Sequence, residues 1–283
     1  MPPIVSVIVP TYNRPDMLGD CLDSINGQTY SNLEVLVVND GGQEVEKIIS
    51  NSNKGGNVRY IRHLTNRGLA AARNSGIRAA KGKYIAYLDD DDIYYPDHIE
   101  TLVGFLEKSH YMVAYTDACR AVQKKGNGGY VIEKRDVPYS MDFDRDRMLI
   151  SNYIPVLCIM HDISCLDTAG YFDESLTSHE DWDLWIRMSR MFEFGHIGKT
   201  TCEFRWRHDA TTMTSQRRED YVRTLRIIYD RYRDFTDENL EIIYGQRRFL
   251  RKLKILICFC KLLDKIEKIS GIHLPYLRKR LIY

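Results

Sequence analysis

Tyr84-Ile-Ala-Tyr-Leu-Asp-Asp-Asp-Asp92 sets an unbroken apolar and aromatic run directly before four carboxylates. A short run of that kind, without polar alternation, is a strand buried on both faces, and the aspartates mark its carboxyl end. Working upstream, Leu69 to Ala80 reads as a helix, Val58 to Ile61 as a strand, and Val45, Ile48 and Ile49 fall on one helical face. Leu33 to Val38 and Ile4 to Val9 are two further buried strands, separated by Met17, Leu18, Cys21, Leu22 and Ile25 at helical spacing. The order β-α-β-α-β-α-β predicts an α/β protein with a mainly parallel sheet flanked by helices. Downstream the pattern loosens into a helix from Asp97 to Glu107, a strand near Val113, and a hairpin across Gly126-Asn-Gly-Gly129. From Arg218 onward long charged helical stretches take over, and the chain contains no internal repeat or low-complexity segment.

The 283 residues, 44% hydrophobic and 28% charged, can bury a core as one domain plus an appendage or as two small domains, and they exclude disorder and collagen-like structure. A net charge of +1 conceals a division. Residues 1–215 carry 23 basic and 30 acidic side chains, whereas residues 216–283 carry 17 basic and 9 acidic ones. Two regions, 1–215 and a basic helical extension over 216–283, with different partners, are therefore expected. The seven cysteines are scattered, with no C-x-x-C pair or zinc-like spacing, which predicts a reduced, cytoplasmic setting. Met1 leads into Ile4 to Val9 with no basic segment before it, so no signal peptide is expected. The late apolar run Ile255 to Cys260 falls far short of the roughly 20 residues a spanning helix requires. Nothing points to nucleic acid as a partner.

In open parallel sheets ligands gather at the carboxyl ends of the strands. Four such ends carry polar clusters: Thr11-Tyr-Asn-Arg14, Asn39-Asp-Gly-Gly42, the segment Asn66 to Gly76, and Asp89 to Asp92. Adjacent carboxylates at the end of a buried strand repel one another, and a divalent cation resolves the conflict. Oxygen ligands at i and i+2 suit Mg2+ or Mn2+, with water and phosphate filling the other positions. The alternative is an acidic turn capping the helix near Pro96, through Asp92 or Asp97. Tyr12 can stack on a base or simply fill the turn between Pro10 and Pro15, and Arg14 can meet phosphate. Asp40 before two glycines is a turn residue or an acceptor for a nucleobase or ribose; Arg73 and Asn74 are a solvated helix face or part of a site. Glu180, Asp181 and Asp183 open an aromatic-rich helix, where acids are favoured by the helix dipole. A carboxylate beside Trp182 and Trp185 would also suit a general base. His208, after Arg205 and Arg207, suggests an anionic ligand.

Taken together the chain resembles glycosyltransferase family 2, the inverting nucleotide-sugar transferases of the Rossmann-like GT-A fold. The resemblance rests on Val7-Ile-Val-Pro-Thr-Tyr-Asn-Arg14, Val38-Asn-Asp-Gly41, Asn66-x-Gly68 leading to Ala72-Arg-Asn-x-Gly76, Leu88-Asp-Asp-Asp-Asp92, Gly170-Tyr-Phe-Asp-Glu174 and Glu180-Asp-Trp-Asp-Leu-Trp185, in the family's order over about residues 4 to 215. It implies nucleotide binding over about 1–117, with Thr11 and Tyr12 lining the base pocket, Asp40 on the uracil edge, Arg73 nearby, and Pro10, Arg14, Asp89 and Asp90 also on the nucleotide. The acceptor side would span about 118–215. Asp89 and Asp91 would be the D-x-D pair, Asp91 the direct ligand of Mn2+ or Mg2+, Asp181 the catalytic base, and His208 a late histidine reaching metal or diphosphate. Two departures stand out: Asn39 where an Asp is frequent, and Asp90 where a small residue is usual, which leaves open whether Asp89, Asp90 or Asp91 touches metal or ribose.

The implied activity is metal-dependent, inverting transfer from a nucleotide-sugar, a UDP-sugar foremost, to a hydroxyl of a glycan or lipid-linked acceptor in cell-envelope polysaccharide synthesis. Two alternatives stand beside it: a non-catalytic nucleotide-sugar-binding or partner-binding module, and a haloacid-dehalogenase-like phosphatase, which Asp89-x-Asp91-x-Ile93 fits loosely. In the tail, Leu250 to Ile269 interleaves apolar residues with lysine and arginine, followed by Leu277-Arg-Lys-Arg280. Such helices dock to an anionic membrane surface, here the inner face, or pack on the catalytic domain or a second subunit. Between Asp117 and Ile163 no motif identifies the donor sugar or the acceptor.

Overall fold

The computed structural model describes residues 4–52, 56–126, 129–207 and 218–270. Its parallel half consists of β1 (Val5–Thr11), β2 (Leu33–Asn39), β3 (Val58–Arg62) and β4 (Tyr84–Tyr87), with Val5 registered against both Leu33 and Tyr84. Every residue of β1, β2 and β4 is buried, which is why these strands read as continuous apolar runs. Helix α1 (Pro15–Asn26) starts on a proline, whose fixed backbone angle suits a first helical position, and buries Leu18, Cys21, Leu22 and Ile25. Helices α2 (Glu46–Ser52) and α3 (Leu69–Ala79) complete the crossovers. The third helix lies so close to the sheet that a Cβ on Gly76 would come within 2.6 Å of the Ile8 side chain.

Beyond β4 the sheet continues with strands the sequence pattern does not announce. The order is β3-β2-β1-β4-β8-β6-β9-β5, where β8 (Ile159–Asp162) runs antiparallel between β4 and β6 (Val113–Gly126). Strand β9 (Phe194–Arg207) lies parallel to β6, and β5 (Ile93–Tyr94) antiparallel to β9. The expected hairpin is β6 with β7 (Gly129–Asp136), Gly126 facing Gly129. The helix expected from Asp97 runs as α4 (His98–Leu106). Asp97 holds its N-cap position without a side-chain cap bond and pairs with Lys199 instead, while Asp92 accepts the Arg205 amide at 2.9 Å. Helix capping therefore does not account for these aspartates.

Short helices α5 (Arg145–Met148) and α6 (Cys165–Ala169) lead to α7 (Glu180–Ser189), and α8 (Arg218–Arg231) and α9 (Leu240–Ser270) follow β9. Leu225, Ile228, Tyr229 and Tyr232 of α8 and its following turn join the main core, as does Ile242 of α9. Asp183, wholly buried, accepts hydrogen bonds from Arg187 at 2.9 Å and from Arg231 and the Tyr232 hydroxyl at 2.7 Å, fastening α8 to α7. Among the described residues no helix is long and apolar enough to cross a membrane.

Candidate functional site

The strand ends converge as the topology requires. Pro10, Thr11, Tyr12, Arg14, Asp40, Asn66 to Ala70, Ala72, Asp89 and Asp90 line a cleft of about 400 Å³, closed on one side by Glu174, Leu176 and Thr177. Gly41 has φ +73, and any Cβ there would lie 2.5 Å from the Thr65 carbonyl carbon, so this glycine lets the Thr65-Asn66 turn descend onto the site. Asp40 is buried and organises that turn. Its Oδ1 accepts the Arg67 amide at 2.9 Å and His63 Nδ1 at 2.7 Å, and its Oδ2 accepts the Gly68 amide at 2.8 Å. With two acceptor sites on each oxygen, Oδ2 retains capacity for a further donor. His63 meets Ser75 Oγ at 2.8 Å with its other nitrogen. Tyr12 is 45% exposed and presents its ring at the cleft, whereas Thr11 is buried and donates to Asp90 Oδ2 at 2.7 Å.

The four aspartates are held mainly by arginines from three elements. Arg14 stands 3.2 Å from Asp90 and 3.1 Å from Asp91; Arg207, at the end of β9, reaches Asp91 at 2.9 Å; Arg73 donates to Asp89 at 2.7 Å. Burial, and next the neighbouring Asp91 charge, raises the proton affinity of Asp90 and Asp92. The repulsion that seemed to demand a cation is thus largely offset within the protein. A divalent ion nevertheless fits the donor set. Asp90 and Asp92 are buried and committed, but the Asp89 and Asp91 side chains keep 28% and 15% exposure and stand at i and i+2. Among the described residues no three His, Cys, Asp or Glu groups form a ready cage. A cation here would therefore complete its shell with phosphate oxygens and water. His208 lies outside the described residues.

The acids of α7 separate into three roles. Glu180 is buried and accepts from Arg73 at 2.6 Å, so that Arg73, itself 2% exposed, bridges the acidic strand end to the start of α7 rather than lining the cleft. Asp183 is the structural brace described above. Asp181 accepts the Trp182 amide at 2.7 Å and Asn152 Nδ2 at 3.0 Å, with part of its surface still open. Its proton affinity is raised to about 7, first by burial and then by the Glu180 charge, with Arg73 opposing. Trp182 gives its indole N–H to Met148 O and meets the Asp181 carboxylate only through its amide. Sequence reasoning missed Asn152, which carries no signal because Asp181 lies 29 positions away. Arg207 and Glu180 stood in the sequence motifs, but their partners Asp91 and Arg73 lie 116 and 107 positions away in the chain.

The family described as Glycosyl transferase family 2 matches residues 6–165. An uncharacterised glycosyltransferase of Rickettsia prowazekii is 33% identical over 197 residues, covering 67% of this chain and 59% of that protein. A chondroitin synthase of Pasteurella multocida is 28% identical over 262 residues, covering 86% of this chain and 26% of that protein. The chain spans 29% to 59% of the length of five Rickettsia glycosyltransferases it matches. Among solved structures, Staphylococcus aureus TarS 1-349 in complex with UDP-GlcNAc aligns with a TM-score of 0.64 at 22% identity, over 79% of this chain and 65% of that one. The mannosyltransferase PcManGT from Pyrobaculum calidifontis, in complex with GDP-Man and Mn2+, aligns with a TM-score of 0.58 at 15% identity, over 100% of this chain and 85% of that one. At such identities the structural likeness speaks for the fold, which is GT-A.

Proposed function

We propose that this chain, which belongs to glycosyl transferase family 2, moves a sugar from a UDP-sugar to a hydroxyl of a glycan or lipid-linked acceptor in polysaccharide synthesis, with inversion at the anomeric carbon. The protein is a glycosyltransferase, so neither a phosphatase nor a binding-only module accounts for it. The observation that carries the reading is the continuous path from the cleft, through Asp89 and Arg73, to Glu180 and Asp181. The nucleotide would lie in the cleft with its base between Tyr12 and Asp40, whose Oδ2 accepts the uracil N–H. Thr11 holds Asp90 in place beneath it, and Arg14 and Arg207 present positive charge toward the diphosphate. Asp181, with a proton affinity near neutrality, would take the proton of the acceptor hydroxyl on the far face of the sugar. A Mn2+ or Mg2+ held by Asp91 and Asp89, and by His208, would stabilise charge on the leaving diphosphate. That TarS is seen with UDP-GlcNAc and PcManGT with GDP-Man and Mn2+ supports a nucleotide-sugar donor and a metal. The division into nucleotide-binding residues 1–117, acceptor side 118–215 and extension 216–283 belongs to the same proposal, with α8 at the start of the extension packed into the main core.

A donor screen by thermal shift with Mn2+ tests it, with stabilisation expected for a UDP-sugar before GDP or dTDP analogues. Chelation is expected to weaken UDP binding by about tenfold or more, equivalent to about 1.4 kcal/mol, and Asp91→Asn should match the chelated protein. Calorimetry giving one affinity with and without metal would refute the metal assignment.

For the extension, the favoured partner is an anionic bilayer on the cytoplasmic side. Leu240, Tyr244, Ile255, Phe259 and Leu262 are exposed and fall on one face of α9, among the exposed Arg247, Arg248 and Arg251. With each cation near an anionic surface contributing about 1 kcal/mol, sedimentation with phosphatidylserine vesicles is expected at low salt and is lost at high salt. A salt-resistant dimer that ignores vesicles would instead assign this face to a second copy.

A further inference from the structure

The turn that delivers Asp181 is held from beyond the matched stretch of residues 6–165. Contacts on both flanks of Asp181 lead to α8. Thr177 donates to Asp220, His179 Nδ1 lies 2.8 Å from Thr224 Oγ1, and Asp183 accepts from Arg231 and Tyr232. His179 itself is at φ 63, a left-handed backbone that is uncommon for residues other than glycine, asparagine, aspartate and histidine and typically costs about 1–3 kcal/mol. Its ring is buried, with centroids 5.5 Å from Trp182 and 4.1 Å from Tyr221 of α8. Thr224 Oγ1 is within 3.0 Å of Asp220 O and 3.2 Å of Tyr221 O, so its proton goes to α8 and it accepts from His179 Nδ1–H. Burial pushes the imidazole down to about 4, so it is neutral and acts through geometry rather than charge.

We propose that α8 is part of the catalytic apparatus and that His179, gripped by Thr224, is the positioning residue that fixes the strained turn from which Asp181 projects. The inference rests on Asp181 being the base. A helix that reads in sequence as the start of a docking appendage thereby serves the reaction centre. The groups acting on the Asp181 charge are Glu180, Arg73, Asp89 and, from α8, Tyr221.

The test uses the full chain with Mn2+, following UDP release from UDP-GlcNAc with water as acceptor. Thr224→Val and His179→Gly are expected to lower kcat about tenfold to a hundredfold, the range that misplacement of a catalytic group commands. KM and UDP affinity should stay within about twofold, and the acidic limb of the pH profile should move. His179→Asn should recover most of the rate, because asparagine tolerates the left-handed backbone and its amide replaces Nδ1–H. Melting temperature is followed as the folding control, with Thr224→Ser, which keeps the hydroxyl, as a second variant expected to behave as the unaltered protein. Unchanged kcat in both Thr224→Val and His179→Gly, or a loss of UDP affinity in proportion to kcat, overturns the inference. An inactive Asp181→Asn beside fully active Thr224→Val and His179→Gly removes the brace alone, whereas an active Asp181→Asn removes the base assignment and this inference with it.

Discussion

Asp181→Asn is expected to leave nucleotide-sugar binding intact and to lower transfer by about a hundredfold to ten-thousandfold, the usual worth of a positioned general base. The amide is nearly isosteric and its one oxygen can still accept from the Trp182 amide, losing only the bond from Asn152 Nδ2 to the second carboxylate oxygen, so the turn should survive the change. What disappears is a carboxylate whose proton affinity burial and Glu180 raise to about 7. The same value sets the sign of the pH dependence. A base must be ionised to work, so turnover should fall tenfold per unit below about pH 7 and level off above it. Full turnover by the variant, or an acidic limb centred on the ordinary aspartate range, would rule Asp181 out as the base.

The second large effect is on stability. Arg73→Met removes a guanidinium that is 2% exposed and bonds Glu180 at 2.6 Å and Asp89 at 2.7 Å. Breaking a buried ion pair from one side leaves the opposite charge without compensation, which costs about 3–5 kcal/mol. Urea denaturation should show that loss. The double change Arg73→Met with Glu180→Gln should restore a good part of it, because the more deeply buried carboxylate is then neutral. Arg73 also holds down the proton affinity of Asp181, so the acidic limb of any residual activity should shift to higher pH. A destabilisation under about 1 kcal/mol would show that the bridge is not buried in the sense that matters energetically.

Periodicity made the first half legible. The strands at Val5, Leu33, Val58 and Tyr84 and the helices between them lie within a residue or two of where apolar spacing puts them, because buried parallel strands are written as unbroken β-branched runs. The second half resisted the same reading. Strand β9 runs from Phe194 to Arg207 with polar and glycine residues throughout and shifts register twice against β6, so no alternation survives to announce it. The cleft residues Thr11, Tyr12, Asp40, Asp89 and Asp90 were legible because strand ends locate ligands in such sheets whatever the ligand is.

The chain by itself determined the fold class, the four strand ends and the list of carboxylates available for chemistry, since these follow from local patterns only a few residues long. Its local pattern did not separate the acids of α7, among which only the family resemblance pointed to Asp181. Glu180, Asp181 and Asp183 are near-equivalent as sequence, yet one is sealed by Arg73 from 107 positions away, one by Arg231 from 48, and Asp181 alone keeps an open face. Likewise Asp91 acquires Arg207 across 116 positions, a pairing that exists only because β9 ends beside the acidic turn. Helical and strand periods encode burial, but the proton affinity of a buried acid depends on which charges the packed core brings within a few ångströms of it, and only the tertiary structure decides that.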